Sequence, residues 1–487
     1  MAGAAALGSA LPRRASALDE PPSAATAQED LRLRAISRLI EAKMAEHRIP
    51  GVAFGLLEND ELLIRGYGLT NLDNPQPVDA DTVFPIASIS KTVVATAFMR
   101  LVEEGAIDLS ATVRTHLPDF ETGDEAASRS VLVEHLLTHT PGWEGQLSTA
   151  DRGSETLANF TRGLYDLPQL APPGAVWSYN NAGFGVAGRV LEAVAETSID
   201  AALADLVFEP LGLTHAFTRT GAATTHRFAA PHRQEGSETV VLRPFELPAN
   251  VAAGGAAMSI GSLMAYARFH MGDGAVDGRQ LLERSTLEEM RRPRLTKNAT
   301  TDQMGIGWHL RTLGGVTTAA HGGTLGGHCL HVQLVPERRL AFAILTNHRD
   351  GWRLIQAVER AILEAFEGLA LEPNQATGGN RGGNEDMTVH AKPLEAQPDP
   401  RPYVGTYRRP PNGTAEIVAR DGRVILRGAG VGSGDVPLVF WGPDLTYTQP
   451  PPEDDYPYEG MPVEFVRRTD GSVGWIRVNG RIAAKDA

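Results

Sequence analysis

The spacing of apolar residues divides the chain into segments with helical and strand character. Apolar residues recur every three or four positions in Glu29–His47 and Thr92–Glu104, which predicts two amphipathic helices. Short apolar runs at Val52–Leu57 and Leu62–Tyr67 flank a polar turn and predict a β-hairpin. The pattern then predicts four strands and a long helix, at Gly305–Arg311, Val316–Ala320, His328–Pro336, Arg339–Thr346 and Trp352–Leu369. This mixture predicts the α/β (α+β) class.

The composition changes after this last helix, which divides the chain into two globular parts. Residues 372–400 are rich in Gly, Asn and Pro and predict a linker. Beyond them, short apolar runs are separated by Asp421-Gly422, Asp470-Gly471 and Asn479-Gly480, which are typical of hairpin turns. We therefore predict a mixed domain over residues 29–371 and a small all-β domain over residues 401–487. Two domains also suit a length of 487 residues, which exceeds what one core commonly holds.

Composition and charge exclude some classes of partner. A chain with 42% hydrophobic and 21% charged residues is typical of a globular protein. Its formal net charge of −14 argues against nucleic acid as a partner. No apolar run is long enough to span a bilayer, so we expect no membrane insertion. Cys329 is the only cysteine, so this chain cannot form an internal disulfide.

Residues 1–28 predict a signal-like or disordered segment. Met1–Leu11 is small and apolar, and Ala15-Ser16-Ala17 resembles a signal-peptidase site. However, Arg13-Arg14 follow the apolar run, whereas a signal peptide carries its positive charge before that run. We expect a periplasmic or exported protein, with a cytoplasmic one as the alternative.

The clearest chemical candidate is Ser88-x-x-Lys91, where the helix predicted from Thr92 begins. Residues three apart share one helical face, so the pattern places the Lys91 amine beside the Ser88 hydroxyl. A lysine whose pKa is lowered by burial can take the proton of a serine hydroxyl and make it a nucleophile. The alternative is a helix capped by Ser88 with a solvated Lys91.

A second candidate is the polar segment Trp177–Asn181, which precedes another predicted helix. The phenol of Tyr179 can act as a base or proton shuttle, because a neighbouring ammonium group favours the phenolate. Asn181 can orient a lysine or bind a substrate carbonyl. The alternatives are a structural tyrosine and the register Ser178-x-Asn180.

A third candidate is His321-Gly322-Gly323-Thr324, which follows an apparent strand. Two glycines allow a substrate backbone to approach closely, and the N–H group of Thr324 can bind an oxyanion. The alternative is a glycine turn between two strands.

Three further patterns do not predict a cofactor. Gly183–Gly188 matches Gly-x-Gly-x-x-Gly but follows no buried strand, so it indicates close helix packing. His135 and His139 stand four apart on one predicted helical face, but no third ligand is evident, which favours a structural role. His328 and Cys329 alternate in a predicted strand and would face opposite sides. We expect no metal and no cofactor.

Together these segments resemble the serine hydrolases of the class C β-lactamase and penicillin-binding-protein group. The resemblance runs from about Ile49 to Asn347 and rests on motifs in a fixed order, Phe84–Thr92, Val133–Gly142, Tyr179–Asn181 and His321–Gly323. It implies a β-lactamase-like antiparallel sheet with a helical subdomain. The all-β domain resembles the lipocalin-like appendage of several peptidases in this group.

The resemblance also implies an acyl-enzyme mechanism. Ser88 would attack a carbonyl, and Lys91 and Tyr179 would share the base and acid steps in an order that stays open. The backbone N–H groups of Ser88 and Thr324 would form the oxyanion hole. Substrate or oxyanion contacts are implied for Asn181, His321, Gly323 and Thr324.

One departure from the group bears on the substrate. β-Lactamases of this type carry Lys-Thr-Gly where this chain has His321-Gly322-Gly323, and a mostly neutral histidine attracts the carboxylate of a β-lactam less. Members of the group with His-x-Gly include peptidases, so the resemblance implies a peptidase or amidase for short or non-standard peptides, either D-residue-containing or linearised cyclic ones. A carboxylesterase with the same residues is the alternative, and β-lactamase or purely binding roles are disfavoured. The resemblance also allows a homo-oligomer.

Overall fold

The computed structural model describes residues 24–146, 156–297, 302–368, 393–411, 413–428, 434–448 and 461–486. The signal-like features predicted before residue 24 and most of the predicted linker lie outside these residues.

Helices make up much of the first 370 residues. Their bounds are α1 (Ala24–His47), α2 (Ser90–Glu103), α3 (Val113–His116), α4 (Glu125–Ser130), α5 (Val133–Leu137), α6 (Thr156–Arg162), α7 (Asn181–Ala195), α8 (Ile199–Leu203), α9 (Thr220–Ala223), α10 (Val251–Gly254), α11 (Ile260–Met271), α12 (Arg284–Met290) and α13 (Gly351–Glu367). Short 3₁₀ turns cover Ala87–Ile89, Gly163–Asp166 and Pro336–Arg338, and a π-helical turn covers Ala204–Phe208.

Strands lie both among these helices and in the C-terminal part. Those before residue 370 are β1 (Gly51–Glu58), β2 (Glu61–Gly68), β3 (Val83–Pro85), β4 (Ala216–Phe217), β5 (His232–Glu235), β6 (Glu238–Val241), β7 (Ala257–Ser259), β8 (Ala275–Val276), β9 (Arg279–Gln280), β10 (Leu295–Thr296), β11 (Gln303–Met304), β12 (His309–Leu313), β13 (Val316–Leu325), β14 (His328–Val335) and β15 (Leu340–Thr346). The C-terminal strands are β16 (Gly405–Arg408), β17 (Thr414–Arg420), β18 (Arg423–Gly428), β19 (Val436–Phe440), β20 (Leu445–Thr448), β21 (Pro462–Arg467), β22 (Val473–Val478) and β23 (Arg481–Lys485).

The main sheet has eight antiparallel strands in the order β10-β11-β12-β13-β14-β15-β1-β2. The predicted hairpin is present as β1–β2, and it joins the end of the domain through β1–β15, where Val52 lies opposite Thr346. Helices α1 and α13 cover one face, with Ile40 and Ile355 in its apolar core. The other face supports the helical region that contains α2, α7 and α11. The predicted β-lactamase-like mixed fold is confirmed.

Three predicted boundaries were wrong. Helix α1 begins at Ala24, inside the segment assigned to the disordered lead-in, and β12 begins at His309 instead of Gly305. Strand β13 continues to Leu325, so its two glycines lie within a strand and not in a turn after one. A Cβ atom on Gly322 would lie 2.6 Å from the Trp352 ring. The glycine therefore allows α13 to pack directly on the strand.

The C-terminal strands β16–β23 close into an eight-stranded antiparallel barrel. Closure pairs the edge strands β16 and β23, and the interior holds aromatic side chains such as Tyr407, Phe440 and Phe465. All three predicted hairpin turns are present, and Asp421 and Asn479 adopt the positive φ that such turns require. None of the helices in the described part of the chain combines the length and apolar character of a membrane span.

Candidate active site

Ser88 lies in a tight 3₁₀ turn between β3 and α2. Ala87, just before it, has a φ of 47°, an uncommon value for a residue with a side chain. The turn is held by Ser90, whose hydroxyl donates to the Ala87 carbonyl at 2.6 Å and accepts from the Ala256 N–H at 3.0 Å. These bonds stabilise a strained backbone at the position where Ser88 projects toward the cleft.

Lys91 follows in the first turn of α2 and is fully buried. Its Nζ lies 3.2 Å from Ser88 Oγ and also donates to the Ala253 carbonyl. Burial lowers the pKa of Lys91 well below its ordinary value, and the positive charge of Arg481 adds to this effect. No carboxylate pairs with it among the described residues. An amine in this environment can hold a free lone pair near neutral pH.

Tyr179 lies in the irregular segment before α7, with its ring facing Lys91. The distance from Lys91 Nζ to the ring centroid is 5.0 Å, and the His139 ring lies 4.4 Å from the same centroid. Burial raises the pKa of Tyr179 to about 12, although the Ser88 hydroxyl and Arg481 act in the opposite direction. Burial thus moves the pKa values of Lys91 and Tyr179 so that the first suits a base and the second a proton donor.

The structure favours the register Tyr179-x-Asn181. Asn180 is fully buried and caps α7: its side chain accepts from the Gly183 N–H at 2.7 Å and donates to the Trp143 carbonyl at 2.8 Å. Ser178 is likewise engaged elsewhere, because its hydroxyl accepts from the Ile482 N–H at 3.2 Å. Asn181 is partly exposed, and its amide donates only a long bond, 3.3 Å, to Gln146.

His321 lies in β13 with its ring in the same cleft. Its Nδ1 donates to the Gly322 carbonyl at 2.7 Å, which leaves Nε2 as an acceptor. Burial and the charge of Lys91 lower the pKa of His321 to about 3, so the ring is neutral at physiological pH.

The other residues of the His321–Thr324 motif lie where β13 continues past the end of its neighbouring strand β12. Strand β12 pairs with β13 only as far as Ala320, so His321–Leu325 have no partner on that side among the described residues. A Cβ atom on Gly323 would lie 2.6 Å from the Ile86 carbonyl, beside the Ser88 turn. Thr324 is exposed, and its hydroxyl accepts from the Trp352 indole at 2.8 Å.

Two further histidines lie beside Tyr179 and His321, and the sequence had pointed only to His139, in a different role. His139 is fully buried and His309 is half-buried, and their ring centroids lie 6.2 Å apart. The predicted helical pairing of His135 with His139 was wrong, because α5 ends at Leu137 and His139 has a φ of 60°. The Pro141-Gly142 breaker nearby was a usable signal for that early end. We find no sequence signal for His309.

The ligand atoms of His139, His309 and His321 lie within 4.8 Å of one another, a spacing that prompts a test for a metal site. However, His139 Nδ1 accepts from the Asn180 N–H at 2.9 Å, and His309 Nδ1 lies 3.4 Å from the Lys297 amine. The neutral His139 ring therefore carries its proton on Nε2 and offers a metal ion no lone pair. The three histidines thus do not present a metal ion with three free lone pairs.

Comparison with known proteins identifies the family of this chain. Residues 36–366, more than half of the chain, match the family described as Beta-lactamase. The chain belongs to the beta-lactamase family.

Two relatives within the family differ in their described activities. "Penicillin-binding protein 4" of Amycolatopsis lactamdurans is 29% identical over 379 residues, covering 76% of this chain and 96% of that protein. "Esterase EstB" of Burkholderia gladioli is 32% identical over 225 residues, covering 43% of this chain and 56% of the esterase. This member of the family is therefore similar to both penicillin-binding and esterase proteins.

Two solved structures share its fold over nearly the whole chain. SurE with D-Leu has a TM-score of 0.76 at 23% identity, covering 94% of this chain and 100% of SurE. The octameric penicillin-binding protein homologue from Pyrococcus abyssi has a TM-score of 0.62 at 19% identity, covering 93% and 100%. At these identities the likeness shows the fold alone. A homo-oligomer stays a prediction for this chain.

Proposed function

We propose that this chain is a serine peptidase or amidase that forms an acyl-enzyme on Ser88. The observation that carries the proposal is the Lys91 amine, fully buried and 3.2 Å from Ser88 Oγ. A hydroxyl becomes a strong nucleophile only when a base takes its proton, and a desolvated amine is such a base. The tight turn at Ala87 presents Ser88 for attack on a bound carbonyl.

The directions in which burial shifts the pKa values of Lys91 and Tyr179 indicate the order of the proton transfers. Neutral Lys91 takes the proton of Ser88 as Oγ attacks, because its pKa is lowered and it lies within hydrogen-bond distance. Tyr179, whose pKa is raised to about 12, is protonated and gives a proton to the leaving group. Water then attacks the acyl-enzyme, and the same groups act in reverse to release the acid.

Charge that develops on the carbonyl oxygen needs donors on the side of the Ser88 turn. We assign the N–H groups of Ser88 and Thr324 to this role, since β13 passes beside the turn at Gly323. We assign substrate contacts to Asn181 and His321. His321 offers an acceptor at Nε2, which suits an N–H group of a peptide.

The same histidine argues against efficient β-lactam turnover. A ring whose pKa is lowered to about 3 carries no charge at neutral pH, so it provides no cation for the β-lactam carboxylate. Peptides with D-residues are the substrates we favour, because SurE, whose structure was solved with D-Leu, shares this fold.

A carboxylesterase is the second candidate, and the similarity to EstB supports it. An oxyanion hole and a base serve esters as well as amides, so the same residues would act. The two candidates differ in the leaving group: an amine needs a proton from Tyr179, whereas an alcohol leaves with less help.

The proposal is tested by labelling and by paired substrates. Intact mass after treatment with a fluorophosphonate should rise by one adduct on the wild-type chain and stay unchanged on Ser88→Ala. Hydrolysis should fall on the order of 10⁴-fold in the same variant. Amide and ester substrates with identical L- or D-acyl groups then separate the candidates.

A peptidase shows hydrolysis of the amides with a preference among peptide acyl groups, whereas an esterase cleaves only the esters. An unlabelled wild-type chain that hydrolyses nothing would refute both candidates. Ser90→Ala is a less suitable control, because its hydroxyl holds the Ser88 turn. Ser128→Ala serves better, since it removes a buried serine far from the cleft.

A further inference from the structure

The C-terminal barrel bonds directly to the backbone around Tyr179. The Tyr179 N–H donates to the Gly480 carbonyl at 2.8 Å, and Arg481 Nη1 donates to the Tyr179 carbonyl at 2.8 Å. Arg477 Nε donates to the Trp177 carbonyl at 3.2 Å. Both backbone groups of Tyr179 are thus held by two consecutive residues of the β22–β23 hairpin.

An apolar contact and an ion pair extend this junction. Trp475 and Ile482 of the barrel pack against Val176, and the Trp475 indole donates to the Leu170 carbonyl at 2.7 Å. Arg409 Nε lies 3.1 Å from the carboxylate of Glu144, whose side chain is 1% exposed. The barrel therefore contacts both segments that lead into the cleft, residues 142–146 and 176–181.

On the side of the first domain, Gly145 leaves the room that the Arg481 side chain occupies. A Cβ atom on Gly145 would lie 2.8 Å from Arg481 Nη1 and 2.5 Å from the Tyr179 carbonyl oxygen. Any side chain at this position would separate the two bonded groups. The guanidinium carbon of Arg481 also lies 5.4 Å from the centroid of the Tyr179 ring. Its charge is consequently held beside the catalytic group.

We propose that Arg481 is a positioning residue of the active site: it holds the backbone of Tyr179 and keeps a permanent positive charge beside Lys91 and Tyr179. The barrel is then a working part of the hydrolase and not only an appended domain. This inference rests on the proposed function only in taking Lys91 and Tyr179 as the groups that act on Ser88.

The positive charge of Arg481 shifts the pKa values of Lys91 and Tyr179 in a predictable direction. A positive neighbour disfavours the ammonium form of Lys91 and favours the phenolate form of Tyr179, so it lowers both pKa values. The other titratable groups around the pair are His139, His309, His321 and Lys297. Burial lowers the pKa values of the three histidines, and Lys297 pairs with Asp302 at 3.6 Å. Arg481 is therefore the positive group that acts on both Lys91 and Tyr179.

Three variants of the full-length chain test the proposal, with the pH profile of kcat/KM as the main measurement. Arg481→Gln removes the charge, so both pKa values rise and the acid limb should move to higher pH by about 0.5 unit or more. Arg481→Lys retains the positive charge, so its acid limb should lie at the same pH as in the wild-type chain. Gly145→Ala leaves the charge but separates Nη1 from the carbonyl. It should lower kcat about 10-fold without moving the limb.

Arg420→Gln is the matched control, because it removes an exposed barrel arginine that pairs with Asp435. It should leave both the rate and the profile unchanged. Thermal unfolding of each variant checks that the fold is retained. A profile for Arg481→Gln that coincides with wild type, with unchanged kcat, would overturn the proposal. So would an equal shift in Arg481→Lys and Arg481→Gln.

Failure of the proposed function would look different. In that case the wild-type chain itself would take up no fluorophosphonate at Ser88, whatever the barrel variants do. A wild-type chain labelled at Ser88, with Arg481→Gln labelled at the same rate and the same pH dependence, would refute the role of Arg481 alone.

Discussion

The Ser88–Lys91 pair and Tyr179 are held by two different kinds of structure. Ser88 and Lys91 belong to one continuous turn and helix, so three residues of chain fix their separation. Tyr179 lies in an irregular segment whose backbone bonds to Arg481, 302 positions later. Ser88 and the Lys91 amine are therefore placed by local geometry, whereas Tyr179 is placed by the docking of the barrel.

This difference indicates which parts of the site are robust. A helical turn inside a packed core keeps its geometry as long as the domain is folded. An irregular segment depends on each bond that holds it, because no repeating ladder of hydrogen bonds restores its shape. A substitution at Lys91 should remove a reacting group without displacing the backbone. A substitution in the barrel should displace the backbone of Tyr179 without removing a reacting group.

Among the groups that assist Ser88, the largest effect is expected from Lys91→Met, on the side of the site that local geometry places. The variant keeps a buried side chain of similar length but lacks the amine, so kcat/KM should fall about 10³-fold. Unfolding free energy should change by less than about 2 kcal/mol, because an unpaired Ala253 carbonyl is offset by the loss of a buried amine. Steady-state kinetics and thermal unfolding measure the two effects.

Lys91→Arg separates the base from the charge. Arginine retains the positive charge but does not lose its proton. The Lys91→Arg variant should therefore be as inactive as Lys91→Met. A Lys91→Arg variant with wild-type kcat would mean that Lys91 acts as a charge and not as a base.

A smaller loss is expected at the tyrosine itself. Tyr179→Phe keeps the ring and the backbone bonds to the barrel but removes the proton donor. We expect kcat for amides to fall about 10²-fold, with a smaller loss for matched esters. Tyr266→Phe is the control, because Tyr266 is also fully buried and its phenol bonds Thr96 at 2.9 Å, away from the cleft. Equal losses in the two variants would argue against a proton-transfer role.

The smallest effect is expected from a single bond of the barrel junction. Ser178→Ala leaves the Ile482 N–H without its acceptor, which costs about 1–3 kcal/mol in a buried contact. If part of this cost is met by displacement of Tyr179, kcat should fall about 5-fold. Ser128→Ala removes a similar buried acceptor, that of the Thr122 N–H at 2.8 Å, and should lower stability but leave kcat unchanged. A kcat unaffected by Ser178→Ala would weaken the link between docking and catalysis.

Several parts of the fold could be predicted because they are encoded in short stretches. Short apolar runs predicted the β1–β2 hairpin and β14–β15, and dipeptides such as Asn479-Gly480 predicted the turns of the barrel. The end of β13 was misjudged, because two consecutive glycines normally indicate a turn. Here they allow α13 and the Ser88 turn to pack closely against the strand, which is a property of its neighbours.

The candidate site divides in the same way. Ser88 and Lys91 were predictable from their spacing, and Tyr179 from its motif. His139 was noticed but paired with the wrong histidine. His309 and Arg481 carried no local signal, because each reaches the cleft through the pairing or docking of strands distant in sequence.

The sequence by itself determined the helix that places Lys91 on one face with Ser88, the turn chemistry of the barrel and the neutral residue at position 321. These follow from propensity and periodicity, which act over a few residues. Only the tertiary structure decided the burial that shifts the pKa values of Lys91 and Tyr179, the use of Asn180 as a buried helix cap, and the position of Arg481 beside Tyr179. Burial and charge depend on everything that packs around a group, and much of that lies hundreds of residues away in the chain.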